Sequence, residues 1–102
     1  MHQLKFTAFA RDDLLAISRF IALDNPKRAH SFVVELRKQC QLLTEFPNMG
    51  VAKTEYADGI RMLAYQRYLI FFSVADNKIV LIERVLHSAR NLSEILSKKI
   101  NI

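Results

Sequence analysis

Apolar residues in the first half of the chain recur at the spacing of amphipathic helices. A short strand is predicted over residues 3–7, and Thr7 suits the N-cap of the helix that follows. We expect Asp12 and Asp13 to lie near the positive N-terminal end of this helix. Its apolar positions are three or four residues apart and comprise Ala10, Leu14, Ile17, Phe20 and Ile21.

A second helix is predicted directly after the Asp24-Asn25-Pro26 sequence. Asn25 suits its N-cap and Pro26 its first helical position, and the helix is expected to run to about Phe46. One continuous apolar stripe follows its length: Ala29, Phe32, Val33, Leu36, Cys40 and Leu43. Two amphipathic helices joined by a tight turn predict a helical hairpin.

The second half of the chain is typical of strands. Pro47 to Gly50 ends the second helix, and a polar connection leads to Gly59. Apolar and β-branched runs predict strands over residues 60–65, 67–75 and 78–87. Asp76 and Asn77 tolerate positive φ and suit the tight turn between the last two strands, and a short helix is expected over residues 89–97.

The last predicted strand is apolar at both alternating sets of positions. Strict alternation places Ile79, Leu81 and Val85 on one side and Val80, Ile82 and Leu86 on the other. A sheet with one solvated face alternates more cleanly between apolar and polar residues. This pattern indicates that the chain covers the second face with another segment or that a partner covers it.

Composition and charge favour a single globular domain over residues 1–102. The chain is 51% hydrophobic and carries a net charge of +5, which favours a polyanion or an acidic protein as partner. We expect a cytoplasmic protein, because the one cysteine, Cys40, has no bridging partner and the N-terminus lacks the apolar segment of a signal peptide. No apolar run is long enough to span a membrane.

Several kinds of chemistry lack the residues that they need. His2, His30 and His87 have no Cys or carboxylate companions at metal-ligand spacing. The chain has two glycines and no glycine-rich phosphate loop, and neither Ser31 nor Ser88 lies in a nucleophile elbow. We therefore expect no metal, no nucleotide cofactor and no acyl-transfer chemistry.

The candidate functional residues lie on or beside the predicted sheet. Arginine binds phosphate through two parallel hydrogen bonds, histidine exchanges protons near neutral pH, and tyrosine stacks on bases. Each also has a structural interpretation: Arg84 pairs with a distant carboxylate, Arg61 joins a cross-strand ion pair, and His87 merely ends a strand. The candidates are Arg61, Arg67, Arg84, Arg90, Tyr65, Tyr68 and His87.

An ordered set of residues resembles the RelE/ParE superfamily of type II toxins, on the ParE side. In the helices the set comprises Ala10, Asp13-Leu14, Ile17, Ile21-Ala22, Asn25-Pro26, Ala29, Phe32-Val33, Leu36 and Leu43. It continues with Pro47 to Gly50, Gly59, Arg61, Tyr68, Ile70, Arg84-Val85-Leu86-His87, Ala89 and Arg90. The segment RVLHSARN, residues 84–91, looks like the strand-end motif of ParE-like toxins.

The resemblance implies a fold and a set of partners. The fold is α+β, with an N-terminal strand and a helical hairpin packed on a small antiparallel sheet, and a short C-terminal helix. The partner is a cognate antitoxin that wraps a disordered segment over the toxin, and operator DNA is contacted only through that antitoxin. An antitoxin would also cover apolar and basic surface of the toxin.

The resemblance leaves the activity open among three alternatives. ParE-like members inhibit DNA gyrase and are not enzymes, and the expected binding residues here are Arg61, Arg67, Arg84, His87 and Arg90. RelE-like members cut mRNA on the ribosome, with Arg61 and Arg84 stabilising the phosphorane and His87 as general acid or base. The chain departs from that pattern, since its middle connection has only Lys53 and no tyrosine follows Tyr68. The third alternative is an inactive member that only binds antitoxin.

Overall fold

Three helices and five strands make up the part of the chain that the computed structural model describes, residues 2–75 and 78–99. The helices are α1 (Ala8–Ala22), α2 (Pro26–Leu42) and α3 (Leu92–Lys99). The strands are β1 (Gln3–Phe6), β2 (Val51–Ala52), β3 (Arg61–Tyr65), β4 (Tyr68–Ala75) and β5 (Ile79–His87). They form one sheet in the order β1-β5-β4-β3-β2.

Side-chain caps start both helices of the hairpin where the sequence predicts. The Thr7 hydroxyl accepts a hydrogen bond from the Ala10 N–H at 3.0 Å, and Asn25 Oδ1 accepts one from the Arg28 N–H at 3.0 Å. The expected dipole role of Asp12 and Asp13 is wrong, because the first turn of α1 holds no acidic residue. Asp13 is instead buried on the second turn.

Helix α2 ends four residues before the expected Phe46. From Leu43 to Glu45 the backbone N–H groups bond to carbonyls three residues back, as Leu43 to Cys40 and Thr44 to Gln41, both at 3.1 Å. Such bonds tighten the last turn of a helix and terminate it. The Thr44 hydroxyl also donates to the Gln41 carbonyl at 2.7 Å, so the same carbonyl is bonded twice.

The α+β fold class is confirmed, and the sheet is mixed. Strands β2 to β5 pair antiparallel, whereas β1 lies parallel to β5 with Gln3 opposite Ile79. The helical hairpin supplies the crossover that a parallel connection needs. Strand β2 was not expected, because two residues are too few to show an alternating pattern.

Both faces of the sheet are covered by the chain itself. The helical hairpin covers one face, with a cluster formed by Leu14, Ile17, Phe32, Leu36, Cys40, Leu43, Ile70, Phe72, Val80, Ile82 and Val85. On the opposite face, the loop around Ala57 and Ile60 packs with Leu96 of α3 over Phe71 and Leu86. The apolar residues at both sets of positions in β5 are therefore explained within the described chain.

A β-bulge at Glu83 changes which residues of β5 face the helices. Phe72 pairs with Ile82 and Phe71 pairs with Arg84, which leaves Glu83 unpaired. The Glu83 carboxylate accepts a hydrogen bond from the Ser73 hydroxyl at 2.9 Å. The expected assignment of Val85 to the side opposite Val80 and Ile82 is thus wrong: Val80, Ile82 and Val85 share the helix-side cluster, and Leu86 lies in the other.

The connections at the two ends of the sheet differ from expectation in detail. Helix α3 starts at Leu92 rather than residue 89, because residues 88–90 form a turn on the end of β5. The predicted Asp76-Asn77 turn lies outside the described residues. None of the helices in the described ranges has the length and hydropathy that crossing a membrane requires.

Candidate functional site

A buried ion pair joins the start of the RVLHSARN segment to helix α1. Arg84 Nε and Nη2 donate to the two carboxylate oxygens of Asp13, each at 2.8 Å, and the Val85 N–H donates to the same carboxylate at 3.0 Å. Arg84 is 7% exposed and Asp13 is 9% exposed. Phe9 of α1 lies beside the guanidinium, 5.5 Å from ring centre to Cζ. Arg84 therefore holds α1 against β5.

Arg61 also makes structural contacts, near the opposite edge of the sheet. Its guanidinium donates to the carbonyl oxygens of Asn48, Met49 and Gly50 at 2.7, 3.4 and 3.1 Å. Gly50 adopts φ of +80°, and a Cβ there would overlap the Met62 carbonyl. Arg61 thus fixes the turn after α2 beside β3, and the expectation of a cross-strand ion pair is wrong.

His87 ends β5 and shapes the turn that follows. Its Nδ1 accepts a hydrogen bond from the Ala89 N–H at 3.0 Å, and its carbonyl accepts one from the Arg90 N–H at 3.1 Å. Its ring lies opposite Tyr68 on β4 and meets the Tyr68 ring edge-on, with centroids 5.2 Å apart. His87 thereby fixes the turn that leads to Arg90.

An apolar groove lies between α1 and this end of the sheet. One part has a volume of about 430 Å³ and an adjoining part about 350 Å³, and both are lined by Phe20, Tyr68 and His87. The first part adds Asp13, Ala16, Ile17, Val85 and Arg90, and the second adds Ile21, Arg28, Phe32, Gln66 and Arg67. Phe20 is 69% exposed, so a large aromatic side chain stands at the junction in contact with solvent.

The arginines that line this groove differ in whether they form an ion pair. Arg28 pairs with Glu35 at 2.5 Å and lies over the Phe32 ring. No carboxylate of the described residues lies within ion-pair distance of Arg67 or Arg90, and both residues are exposed. The groove therefore has an apolar floor and a positively charged rim that can bind an anionic partner.

A network next to the groove links Tyr65 to the same ion pair. The Tyr65 hydroxyl donates to Glu35 Oε1 at 2.6 Å, which raises the pKa of Tyr65 above its usual value. Hydrogen bonds from Arg28 and then Tyr65 lower the pKa of Glu35. Burial raises the pKa of Tyr68 in the groove wall. Tyr65 and Tyr68 both pack on Phe32, so the two tyrosines belong to the hairpin interface.

The other groups with possible chemistry are isolated. Cys40 is a free, buried thiol in the helix-side core, and burial raises its pKa to about 12. Within residues 2–75 and 78–99, no three His, Cys, Asp or Glu side chains come close enough to hold a metal ion.

Comparison with known protein families shows to which family the chain belongs. The family described as "ParE toxin of type II toxin-antitoxin system, parDE" matches residues 4–92. The chain belongs to this ParE toxin family. The match begins in β1 and ends at the start of α3, and it includes every residue that lines the groove.

Solved structures agree with the family. This ParE-family toxin is similar to a chain of the chromosomal ParDE toxin–antitoxin system from P. aeruginosa, with 28% identity and a TM-score of 0.71 over 85% of this chain and 96% of that chain. It also shares its fold with a chain of the RelBE2 toxin–antitoxin complex from Mycobacterium tuberculosis, with 23% identity and a TM-score of 0.64 over 84% and 96%. No curated protein matches the chain.

The candidates named from the sequence divide into two groups. Arg67, Tyr68, His87 and Arg90 come together at the groove of the toxin, whereas Arg61 and Arg84 are held in structural contacts and do not line it. Tyr65 lies beside the groove. Sequence reasoning missed Phe20, Ala16 and Arg28 as groove residues and Asp13 as the partner of Arg84. The signal for Phe20 was an aromatic residue at the edge of an apolar helical stripe, a pattern that core residues share.

Proposed function

We propose that this ParE-family toxin inhibits DNA gyrase as a binding protein, not as a nuclease, and that a cognate antitoxin neutralises it. One observation carries the choice between the activities: both arginines that mRNA cleavage would require are occupied by the fold. Arg84 is buried in a two-point contact with Asp13, and Arg61 donates to three backbone carbonyls. Neither guanidinium faces the groove that holds His87.

The cations left at the groove support binding. Arg90 lines the larger part of the groove and Arg67 the adjoining part, and Tyr68 and His87 line both parts. A nuclease site needs charge stabilisation at the reacting phosphate together with a free acid or base. Here one ring nitrogen of His87 is already bonded to the Ala89 N–H. This arrangement favours recognition of a partner surface.

The antitoxin is supported by the family and by charge. Both similar structures are described as toxin–antitoxin systems or complexes, and the net charge of +5 favours an acidic segment as the neutralising partner. Operator DNA would be reached through that antitoxin. Both proposed partners, gyrase and antitoxin, act in the cytoplasm, and we propose this location for the toxin.

The decisive experiment is DNA supercoiling by purified gyrase, titrated with folded toxin from which any antitoxin has been removed. We expect inhibition with accumulation of cleaved DNA. The double variant Arg67→Ala/Arg90→Ala should weaken inhibition at least about tenfold, since it removes both rim cations. Lys38→Ala is the matched control, because Lys38 is an exposed α2 cation outside the groove.

The opposite outcomes identify the alternatives. Cleavage of mRNA on purified ribosomes, lost in His87→Ala and without any effect on gyrase, would replace the proposal with the nuclease activity. Folded toxin that affects neither gyrase nor ribosomes and does not arrest growth would be the inactive member. Restoration of supercoiling by the protein encoded beside this chain would support the antitoxin part of the proposal.

A further inference from the structure

The turn between β3 and β4 consists of two residues, Gln66 and Arg67, because Tyr65 pairs with Tyr68 on either side of it. Gln66 adopts a φ of +55°, in the left-handed region. The favoured two-residue turns of β-hairpins require positive φ at their first central residue, where Gly, Asn and Asp are the usual choices. Glutamine carries a Cβ that glycine lacks, so the backbone of the turn is strained at Gln66.

Contacts on both sides of the turn explain how this strain is maintained. The Tyr65 hydroxyl donates to Glu35 of α2 at 2.6 Å, and the Tyr65 ring lies 5.9 Å from the ring of Phe32. The Tyr68 ring lies 5.4 Å from Phe32 and 5.2 Å from His87, measured between ring centroids. A strained backbone conformation persists where the surrounding structure over-determines it. The two tyrosines thus fix both ends of the turn.

Arg67 is held by its backbone and leaves its side chain to the groove. Its carbonyl accepts a hydrogen bond from the Ser88 N–H at 2.8 Å, which ties the turn to the segment that follows β5. Its side chain is exposed and lines the groove together with Gln66 and Tyr68. Within residues 2–75 and 78–99, no carboxylate lies within ion-pair distance of Arg67. The guanidinium can therefore bind an acidic group of a partner.

We propose that Gln66 is a positioning residue, whose left-handed backbone conformation fixes Arg67 in the groove before the target binds. A cation that is held in advance loses less conformational freedom on binding, so it binds an acidic group of the target more tightly. The inference rests on the proposed function and names what holds one of the cations that gyrase inhibition uses. Gln66 acts through its backbone, because its side chain is exposed and the strain lies in φ.

A pair of substitutions at position 66 separates the backbone from the side chain. Gln66→Gly and Gln66→Val both remove the side-chain amide, but only valine opposes positive φ, because it is β-branched. In the gyrase supercoiling assay, Gln66→Val should weaken inhibition at least about tenfold more than Gln66→Gly. Ala64→Val is the matched control and should inhibit as wild type does, since Ala64 is exposed on β3, where β-branched residues fit, and lies outside the groove.

Combination with arginine substitutions shows whether Gln66 acts through Arg67 or on the fold in general. Once Gln66→Val has displaced the guanidinium, Arg67→Ala should weaken inhibition by less than about threefold further, whereas Arg90→Ala should keep its full effect. Circular dichroism checks that each variant is folded. A loss from Arg67→Ala that is as large with valine at position 66 as with glutamine would overturn the positioning role.

Amide nitrogen relaxation, measured by NMR on the free wild-type toxin, tests the inference without any substitution. The Arg67 amide should have an order parameter of about 0.85, the value of rigid backbone, before any target is present. A value below about 0.6 would show a flexible turn and would overturn the inference even where Gln66→Val fails to fold.

The outcomes separate the inference from the proposed function. Folded toxin that has no effect on gyrase would overturn the proposed function and, with it, the role of Gln66. Gyrase inhibition that is equally strong in Gln66→Val and Gln66→Gly would overturn the inference alone and leave the proposed function standing.

Discussion

Asp13 and Arg84 form a buried, two-point ion pair, with Nε–Oδ2 and Nη2–Oδ1 distances of 2.8 Å, between residues 71 positions apart in sequence. The same carboxylate bonds the Val85 N–H, so one side chain on α1 fixes both the side chain and the backbone of β5. The orientation of α1 over the groove depends on this contact.

Asp13→Ala should lower the free energy of unfolding by about 3–5 kcal/mol, because it leaves the Arg84 charge buried and uncompensated. Urea unfolding followed by circular dichroism measures the change. Asp12→Ala is the matched control, since Asp12 is exposed on the same turn and should change stability by less than about 0.5 kcal/mol. Equal stability of the two variants would show that the pair does not hold α1 in place.

The two glycines allow a controlled test of the turn that Arg61 fixes. Both have positive φ, +80° at Gly50 and +82° at Gly59, but an added Cβ overlaps the Met62 backbone only at Gly50. Gly59→Ala should therefore cost about 1–2 kcal/mol from backbone strain alone. Gly50→Ala should cost clearly more, as measured by chemical unfolding. A Gly50→Ala variant no less stable than Gly59→Ala would contradict the close approach of this turn to β3.

Glu35→Gln should lower the pKa of Tyr65 towards its usual value, because the hydrogen bond to the Glu35 carboxylate is the largest cause of its elevation. Tyr68 is the internal control: burial raises the pKa of its hydroxyl, which the substitution leaves in place. NMR titration of the ring signals measures both. An unchanged Tyr65 titration would show that the Tyr65–Glu35 bond does not persist in solution.

The Cys40 thiol should resist alkylation by iodoacetamide at pH 8 in the folded toxin and react once the protein is unfolded in urea. Because burial raises its pKa from 9.0 to about 12, the thiol stays protonated at pH 8 in the folded protein. Rapid alkylation of folded protein would mean that the core around Cys40 opens locally.

The same pKa difference makes the free energy of unfolding depend on pH. The folded-state pKa of Cys40 is the higher one, so its contribution to stability is present below pH 9 and is lost as the pH rises towards 12.

The order of the main elements could be predicted from the sequence because caps and periodicity are local signals. Thr7 and Asn25 cap their helices through side chains three residues from the N–H groups they bond. The parallel pairing of β1 with β5 and the Asp13–Arg84 contact depend on residues more than 70 positions apart, and neither leaves a local pattern.

The candidate site was predictable in its residue types but not in its arrangement. His87, Tyr68 and Arg67 lie at the ends of neighbouring strands, and strand pairing brings such positions together. Arg61 and Arg84 carry the same charge as Arg67. Nothing in the sequence distinguishes an arginine that makes structural contacts from one that lines the groove. Phe20 and Ala16 join the groove only through the angle at which α1 crosses the sheet.

The unpaired Glu83 has a consequence for how this strand tolerates length changes. Removal of one residue from a strand ordinarily inverts every side chain beyond the gap, because neighbouring positions point to opposite faces. At Glu83 the gap would instead close the irregularity, and Arg84, Val85, Leu86 and His87 would keep the neighbours they now have on β4. A chain that lacks residue 83 should therefore keep the pairing of Arg84 to His87 with β4.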